Sequence, residues 1–403
     1  MNVYVCDAIM GSGKTSAAID ILRGSTSPPS FLAIHPPYVF VTQFLTEVQR
    51  IRNACPDFRE PINLGDGKLA GMKALVGAGS NIASTHALFY RYDADLLEAI
   101  RNAHYTLILD EVVDVIRMLD LTQDDIRFLF AAGLITADSE RRVRWEKPDY
   151  SGRWADVRSD IETSCVTYED GKLLVWTLPV ELFEAFDSVV LLTYMFDAQY
   201  QHYYFLHNRV AYTRIGVDRK DGAYFYTETP PPSNQRMRLP DIEFVDSPAL
   251  LAIGDARTAL SSTWFRKAEA GQIEEVRNDI YNVYRNKWNT SSADFMWATY
   301  LHAKDALSGR GFKQNFLAYN ARATNDWSDR HHLAYAVNLF PMPDEFNYFA
   351  SRGFIINEDA MALSTMVQWL WRSAIRRGEK IWLYLPSRRM RQLILKYLTD
   401  ISM

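Results

Sequence analysis

Cysteine is scarce in this chain: Cys6, Cys55 and Cys165 are the three in 403 residues, widely spaced and without metal-ligand separation. That spacing excludes a disulfide framework and reads as reduced thiols. No apolar run approaches the ~18 residues that a membrane span requires, so no membrane partner is expected. No basic leader or signal-type cleavage site precedes the first motif, which predicts a cytoplasmic protein. Net charge is small, −5 from 44 bases and 49 acids, so bulk charge does not advertise nucleic acid. Internal repeats and low-complexity tracts are missing as well.

What is present is length and a hydrophobic fraction of 48%, enough for two domains. Asn2–Cys6 reads as a buried strand, Gly11–Gly13 as a turn and Lys14–Leu22 as a helix. Strands follow at Tyr38–Thr42, Asn81–Ser84, Thr106–Leu109 and Val189–Thr193, with helices over Gln43–Ile51 and from near Thr85. Strands alternating with helices predict a parallel α/β sheet. Asp170–Gly171, between Cys165–Tyr168 and Leu173–Thr177, is a hairpin signal. Thr227–Pro240, with three consecutive prolines, reads as a linker. Beyond it, strands are expected at Phe295–Tyr300, Phe316–Tyr319, Ala334–Phe340 and Ile381–Leu385. Helices are expected at Leu363–Arg376 and Arg388–Leu398.

Two motifs carry chemistry. Ala8-Ile9-Met10-Gly11-Ser12-Gly13-Lys14-Thr15 has the form of a phosphate loop. Its glycines let backbone N–H groups turn onto a β-phosphate, Lys14 spans the β- and γ-phosphates, and the Thr15 hydroxyl ligates Mg²⁺. The expected ligands are therefore ATP and Mg²⁺, with Gly11, Ser12, Gly13, Lys14 and Thr15 in contact. Leu107-Ile108-Leu109-Asp110-Glu111 is an apolar strand ending in two acids. It carries Asp110 to the sheet edge to hold Mg²⁺ through water, and Glu111 to orient and deprotonate the attacking water.

A phosphate loop followed by an Asp-Glu box resembles the superfamily 2 DNA/RNA helicases, the DEAD/DEAH-like class, and most of all their compact phage-encoded members. The resemblance runs from residue 4 to about 390. Val39-Phe40-Val41-Thr42-Gln43 is similar to motif Ia, and Ala83-Ser84-Thr85-His86 to a second strand-contacting element. The resemblance thus assigns Thr42, Gln43 and Thr85 to nucleic acid. Leu191-Leu192-Thr193-Tyr194-Met195-Phe196 stands in the position of motif III, with Tyr194 replacing a small Ala. Ala321-Arg322-Ala323-Thr324-Asn325-Asp326 resembles motif V and adds Arg322, Thr324 and Asn325 to the nucleic-acid set. Gln368-Trp369-Leu370-Trp371-Arg372-Ser373-Ala374-Ile375-Arg376 resembles motif VI, whose usual form is Q-x-x-G-R-x-x-R. Trp371 replaces the Gly and the second arginine is displaced by one. Gln368, Arg372 and Arg376 are thereby implied as catalytic, with Arg376 or Arg377 as the finger that neutralises γ-phosphate charge.

The fold so implied is α/β: two RecA-like P-loop NTPase domains in tandem, with an insertion containing a β-hairpin in the first. Residues 1–235 are expected to form the first domain, with the insertion near 120–187, and residues 236–403 the second. The implied activity is an ATP-driven helicase or translocase, with ATP hydrolysed between the domains. DNA, single-stranded or forked, is the expected partner, with RNA possible, and the protein acts as a monomer or is loaded by partners. Two other classes share the nucleotide motifs: a DNA-packaging terminase-like ATPase, and an ATP-gated nucleic-acid-binding protein that does not unwind.

Three features stand outside these motifs. Arg141 to Trp154 interleaves cations with aromatics, which suits either base stacking or a surface hairpin whose tryptophans pack on the domain. From Arg372 to Lys396 eight Lys/Arg face the single acid Glu379, a solvated helix face or a phosphate footprint. His331-His332, His202 and His207 read as ordinary polar or core histidines.

Overall fold

The short apolar runs become parallel strands in a computed structural model that describes residues 1–163, 165–235, 242–321 and 326–399. In chain order the first half contains β1 (Asn2–Asp7), β2 (Tyr38–Thr42), β3 (Ile82–Thr85), β4 (Thr106–Asp110), β5 (Ile116–Met118), β6 (Ile135–Ala137) and β7 (Val143–Trp145). It continues with β8 (Cys165–Glu169), β9 (Leu173–Thr177), β10 (Ser188–Thr193), β11 (Thr213–Lys220) and β12 (Ala223–Thr227). The second half contains β13 (Ile242–Phe244), β14 (Phe295–Ala298), β15 (His332–Tyr335) and β16 (Ile381–Tyr384).

The largest sheet has the order β12-β11-β1-β10-β4-β2-β3. All its pairings are parallel except β11 with β12. Every residue of β2 and β10 is buried, as expected of strands covered by helices on both faces. Because the strands run parallel, the segments leaving β1, β2, β3, β4 and β10 all emerge at one edge, where α/β proteins build their sites. The second parallel sheet has the order β13-β16-β15-β14.

By contacts the chain divides into two compact units. The first comprises Met1–Ala8, Ser12–Asn234 and Met342–Ile356; the second comprises Ile9–Gly11, Gln235–Pro341 and Asn357–Met403. The return of Met342–Ile356 to the first unit differs from an uninterrupted second block over 236–403. Its helix Pro343–Ala350 is held there by aromatic and polar contacts. Phe349 stacks on Tyr200 with ring centroids 5.7 Å apart, and Tyr200 Oη donates to Glu345 Oε2 at 2.5 Å. Arg352 donates to Glu169 Oε1 at 2.6 Å.

Between β4 and β10 lie the three-stranded antiparallel sheet β5-β9-β8 and the hairpin β6-β7. Asp170 and Gly171 both take positive φ, 52° and 70°, at the tight turn joining β8 to β9. The Arg141–Trp154 segment supplies the second strand of the β6-β7 hairpin, Val143–Trp145, and the turn that follows it. Trp154 is buried beneath Arg153, whose guanidinium lies 4.3 Å from the ring centroid. Arg141, Arg142, Arg144 and Arg153 each face an acid: Glu169, Glu140, Asp138 and Asp125.

Several expected elements differ. Phe316–Tyr319 is not a strand; Phe316 makes a single bridge to Trp297. The strand expected over Ala334–Phe340 is His332–Tyr335. The helix expected over Leu363–Arg376 starts earlier, where the Asn357 side chain caps the Ala360 N–H at 3.0 Å, and ends at Leu370. Ser373 then opens a separate short helix, Ala374–Arg377. The expected linker is partly anchored: buried Asn234 accepts from Val217 N at 2.7 Å and donates to Val217 O at 2.8 Å. β11, β12 and β13 were not anticipated, although Asp221–Gly222 between β11 and β12 repeats the hairpin signal seen at Asp170–Gly171. No helix among the described residues is long and apolar enough to cross a membrane.

In the second unit, acids distant in sequence converge on His331. Its Nδ1 lies 2.7 Å from Asp294 Oδ1 and its Nε2 lies 2.8 Å from Glu379 Oε2. Burial alone would lower the His331 pKa, but the two carboxylates outweigh it and hold the imidazolium above its ordinary range. For Asp294, burial pushes upward and the bonds from His331 prevail, holding it low. Glu379 is held low by Arg377 first and His331 second. A raised histidine pKa stabilises the fold fully below the unfolded value near 6.5, and that contribution disappears as pH rises through the folded value. His331→Gln is therefore expected to lower the melting temperature most at about pH 5.5 and much less at about pH 9. A loss independent of pH would mean that the imidazolium is not what holds these strands.

Candidate functional site

β1, β10 and β4 are neighbours, and their carboxyl ends carry the phosphate loop, the motif III-like turn and the acidic pair. Main-chain bonds set their heights: Ala8 N donates to Thr193 O at 3.0 Å, and Glu111 N to Leu192 O at 2.9 Å. Gly13, at φ 98°, caps the helix Lys14–Leu22. This position requires glycine twice over. L side chains rarely adopt that φ, and an added Cβ would lie 2.1 Å from ring atoms of Tyr224. Tyr224 is fixed in turn: its N–H donates to Asp20 Oδ2 at 3.1 Å, and the Tyr226 hydroxyl donates to Lys14 O at 3.1 Å.

Within the loop, Lys14 is buried and its ammonium donates to the Ala8 carbonyl. Ser12 Oγ is buried without a hydrogen-bond partner among the described residues. Thr15 Oγ1 donates to Asp110 Oδ1 at 3.1 Å. That bond unites two residues expected to share one Mg²⁺. An orphaned hydroxyl, a buried ammonium and a hydroxyl–carboxylate pair form a donor set that fits a magnesium–triphosphate. Burial, then the neighbouring Glu111 carboxylate, pushes the Asp110 pKa up to about 7, against the opposing Thr15 bond and Lys14 charge. Glu111 takes φ 73°, a conformation uncommon for residues other than glycine and one that collects at functional sites. Around the pair, His86 Nε2 lies 3.1 Å from Asp110 O, and buried Gln201 accepts from Val113 N at 2.9 Å.

The chain is 34% identical over 415 residues to the "SPbeta prophage-derived uncharacterized protein YonV" of Bacillus subtilis (strain 168), with 99% of each covered. This chain belongs to the YonV family. Residues 239–398 match the YonV C-terminal Rossmann-like domain, and residues 116–176 match the YonV middle domain, which coincides with the insertion between β4 and β10. Among solved structures, an XPD helicase is similar at a TM-score of 0.51 and 12% identity, over 99% of this chain and 95% of its own. S. tokodaii Xpd4 is similar at a TM-score of 0.50 and 12% identity, over 100% and 94%. The fold of this chain, α/β with two RecA-like domains, is thus shared with these structures.

Among the described residues, the remaining expected ones fall on β2 or just after it, on β3, and on the segment from Glu358 to Arg377. Thr42 and Thr85 pair in register at the ends of β2 and β3. Thr42 is buried, and the Gln43 side-chain oxygen is buried without a partner among the described residues. Arg322, Thr324 and Asn325 lie outside the described residues. Gln368 donates to Ser364 Oγ at 3.2 Å along its own helix. Arg372 is half-buried and Arg376 exposed, whereas Arg377 is bonded to Glu379 at 2.7 Å. Asp7, Gln201, Arg214 and Tyr224 were not anticipated; nothing in their spacing distinguishes them from ordinary polar or aromatic positions.

Two outcomes follow from this geometry. Gly13→Ala is expected to destabilise the protein by roughly 1–3 kcal/mol from backbone strain, with the ring collision in addition. Adding Tyr224→Ala is expected to recover only the collision, which thermal melts of the single and double variants separate. A carboxyl whose folded pKa is raised to about 7 subtracts stability as pH climbs from its unfolded value near 4 through 7. Asp110→Asn is accordingly expected to melt above wild type at pH ~8, with the gain vanishing near pH ~4. An equal effect at both pH values would reject that account.

Proposed function

We propose that this YonV-family chain is an ATP-dependent nucleic-acid helicase or translocase, with DNA as the first substrate. The observation that carries the reading is the Thr15–Asp110 hydrogen bond, which joins the two halves of the nucleotide motif at one sheet edge. Gly11, Ser12, Gly13 and Lys14 are assigned to the phosphates, and Thr15 with Asp110 to Mg²⁺, which neutralises phosphate charge when bound. Glu111 is assigned to orient the attacking water and receive its proton. Arg372 and Arg376 are assigned to neutralise γ-phosphate charge, because a planar, permanently charged guanidinium suits charge that grows in the transition state. Arg377 is less suited, being committed to Glu379. Gln368 completes that element.

Thr42, Gln43 and Thr85, with Arg322, Thr324 and Asn325, are assigned to the nucleic-acid backbone. For buried Thr42 the contact is through the main chain. Domains over 1–235 and 236–403 are the working division, with Met342–Ile356 returning to the first. The prophage origin in the relative's name supports a phage-encoded enzyme acting in a bacterial cytoplasm.

The test is steady-state ATP hydrolysis with Mg²⁺ at low salt, alone and with single-stranded DNA, forked DNA and RNA. One polymer is expected to stimulate turnover at least tenfold. Glu111→Gln is expected to abolish hydrolysis while leaving binding of a fluorescent ATP analogue intact. Turnover indifferent to every polymer would overturn the motor reading. Stimulated turnover without strand displacement would favour the ATP-gated binder, and Mg²⁺-dependent DNA cleavage the packaging ATPase.

A further inference from the structure

β1 ends in Asp7, one residue before the phosphate loop begins, with β11 on one side and β10 on the other. Arg214 stands on β11 opposite Val5 of β1. Its guanidinium reaches over the end of β1. Nη1 donates to Asp7 Oδ2 at 3.0 Å, and Nη2 donates to Asp197 Oδ1 in the turn that leaves β10. Asp7 Oδ2 also accepts from Phe196 N at 3.0 Å. One side chain therefore spans three adjacent strand ends.

The turn it grips needs holding. Met195 sits at φ 51°, a left-handed conformation that a methionine adopts only where its surroundings impose it. Thr193, two residues earlier, gives its carbonyl to Ala8 N of the phosphate loop, and its hydroxyl is buried without a partner among the described residues. A shift of the 194–197 turn would thus be passed directly to the first residue of the loop. Arginine is required at position 214 by geometry. One carboxylate ends β1 and the other lies in the turn after β10, and a planar guanidinium presents two separate N–H edges where an ammonium presents one point charge.

We propose that Arg214 is a positioning residue for the nucleotide site, clasping Asp7 and Asp197 so that the turn after β10 keeps the phosphate loop in its hydrolytic geometry. The proposal rests on the ATPase reading above. The two N–H edges of Arg214 are committed to Asp7 and Asp197, so it acts on turnover and not on affinity. The loop's own amides and Lys14 still hold the nucleotide when the clasp is opened.

The experiment compares wild type with Arg214→Ala, Arg214→Lys and Asp197→Asn in the full-length chain. Melting temperature, the dissociation constant of a fluorescent ATP analogue with Mg²⁺, and kcat and KM for ATP are measured for each. All three variants are expected to lose at least tenfold in kcat while their nucleotide dissociation constants stay within threefold of wild type. Combining Arg214→Ala with Asp197→Asn is expected to cost no more than either alone, because both open the same clasp. If Arg214→Ala does not fold, Asp197→Asn, at an exposed position, carries the same test. Folded variants whose kcat stays within twofold of wild type overturn the inference. So does a fall in affinity that matches the fall in kcat. A wild-type chain that hydrolyses no ATP overturns the ATPase reading itself, an outcome distinct from unaffected variants of an active enzyme.

Discussion

Two main-chain hydrogen bonds at the end of β10 govern the candidate site. Thr193 O receives Ala8 N, and Leu192 O receives Glu111 N. Through them one strand sets the height of the phosphate loop on one side and of the acidic pair on the other. The 3.1 Å contact between Thr15 and Asp110 follows from that register. A one-residue slip of a strand would turn its side chains to the opposite face. The near-continuous burial of β1, β4 and β10 guards against such a slip. The chemistry at the edge is therefore held by the apolar core behind it.

This explains which parts of the molecule could be read from sequence. The phosphate loop and the Leu107–Glu111 run are local patterns. Their strands are short, apolar and followed by polar turns, so their positions were legible. Tyr38–Thr42 and Lys14–Leu22 were legible to the residue for the same reason. Asp7 and Arg214 were not, since their partnership closes over two hundred intervening residues and depends on β11 lying beside β1. The left-handed Glu111 and Met195 were hidden too, because neither residue type announces positive φ as glycine does. Phe316–Tyr319 misled for the opposite reason. It is apolar enough for a strand, but only Phe316 bridges a neighbour, Trp297.

The insertion between β4 and β10 gave a mixed reading. Asp170–Gly171 announced its hairpin because a tight turn needs positive φ at two successive positions. The alternating cations and aromatics from Arg141 to Trp154 gave no such direction. Their meaning depended on Glu169, Glu140, Asp138 and Asp125 being close in space, and on Trp154 being buried beneath Arg153. Apolar content marks a segment as strand-like or buried, but its charges are interpreted only by their partners.

The return of Met342–Ile356 to the first unit has a consequence for how the chain is made. Phe349, Glu345 and Arg352 cover Tyr200, Tyr203 and Glu169, residues that precede them by more than a hundred positions. On the ribosome, the amino-terminal unit emerges with that aromatic face still open, and it stays open until residue 356 has been synthesised. A single cut at the proline-rich crossing would likewise release a piece lacking one of its own layers. The first half of this sequence is thus not a whole module by itself: it borrows its last helix from the second.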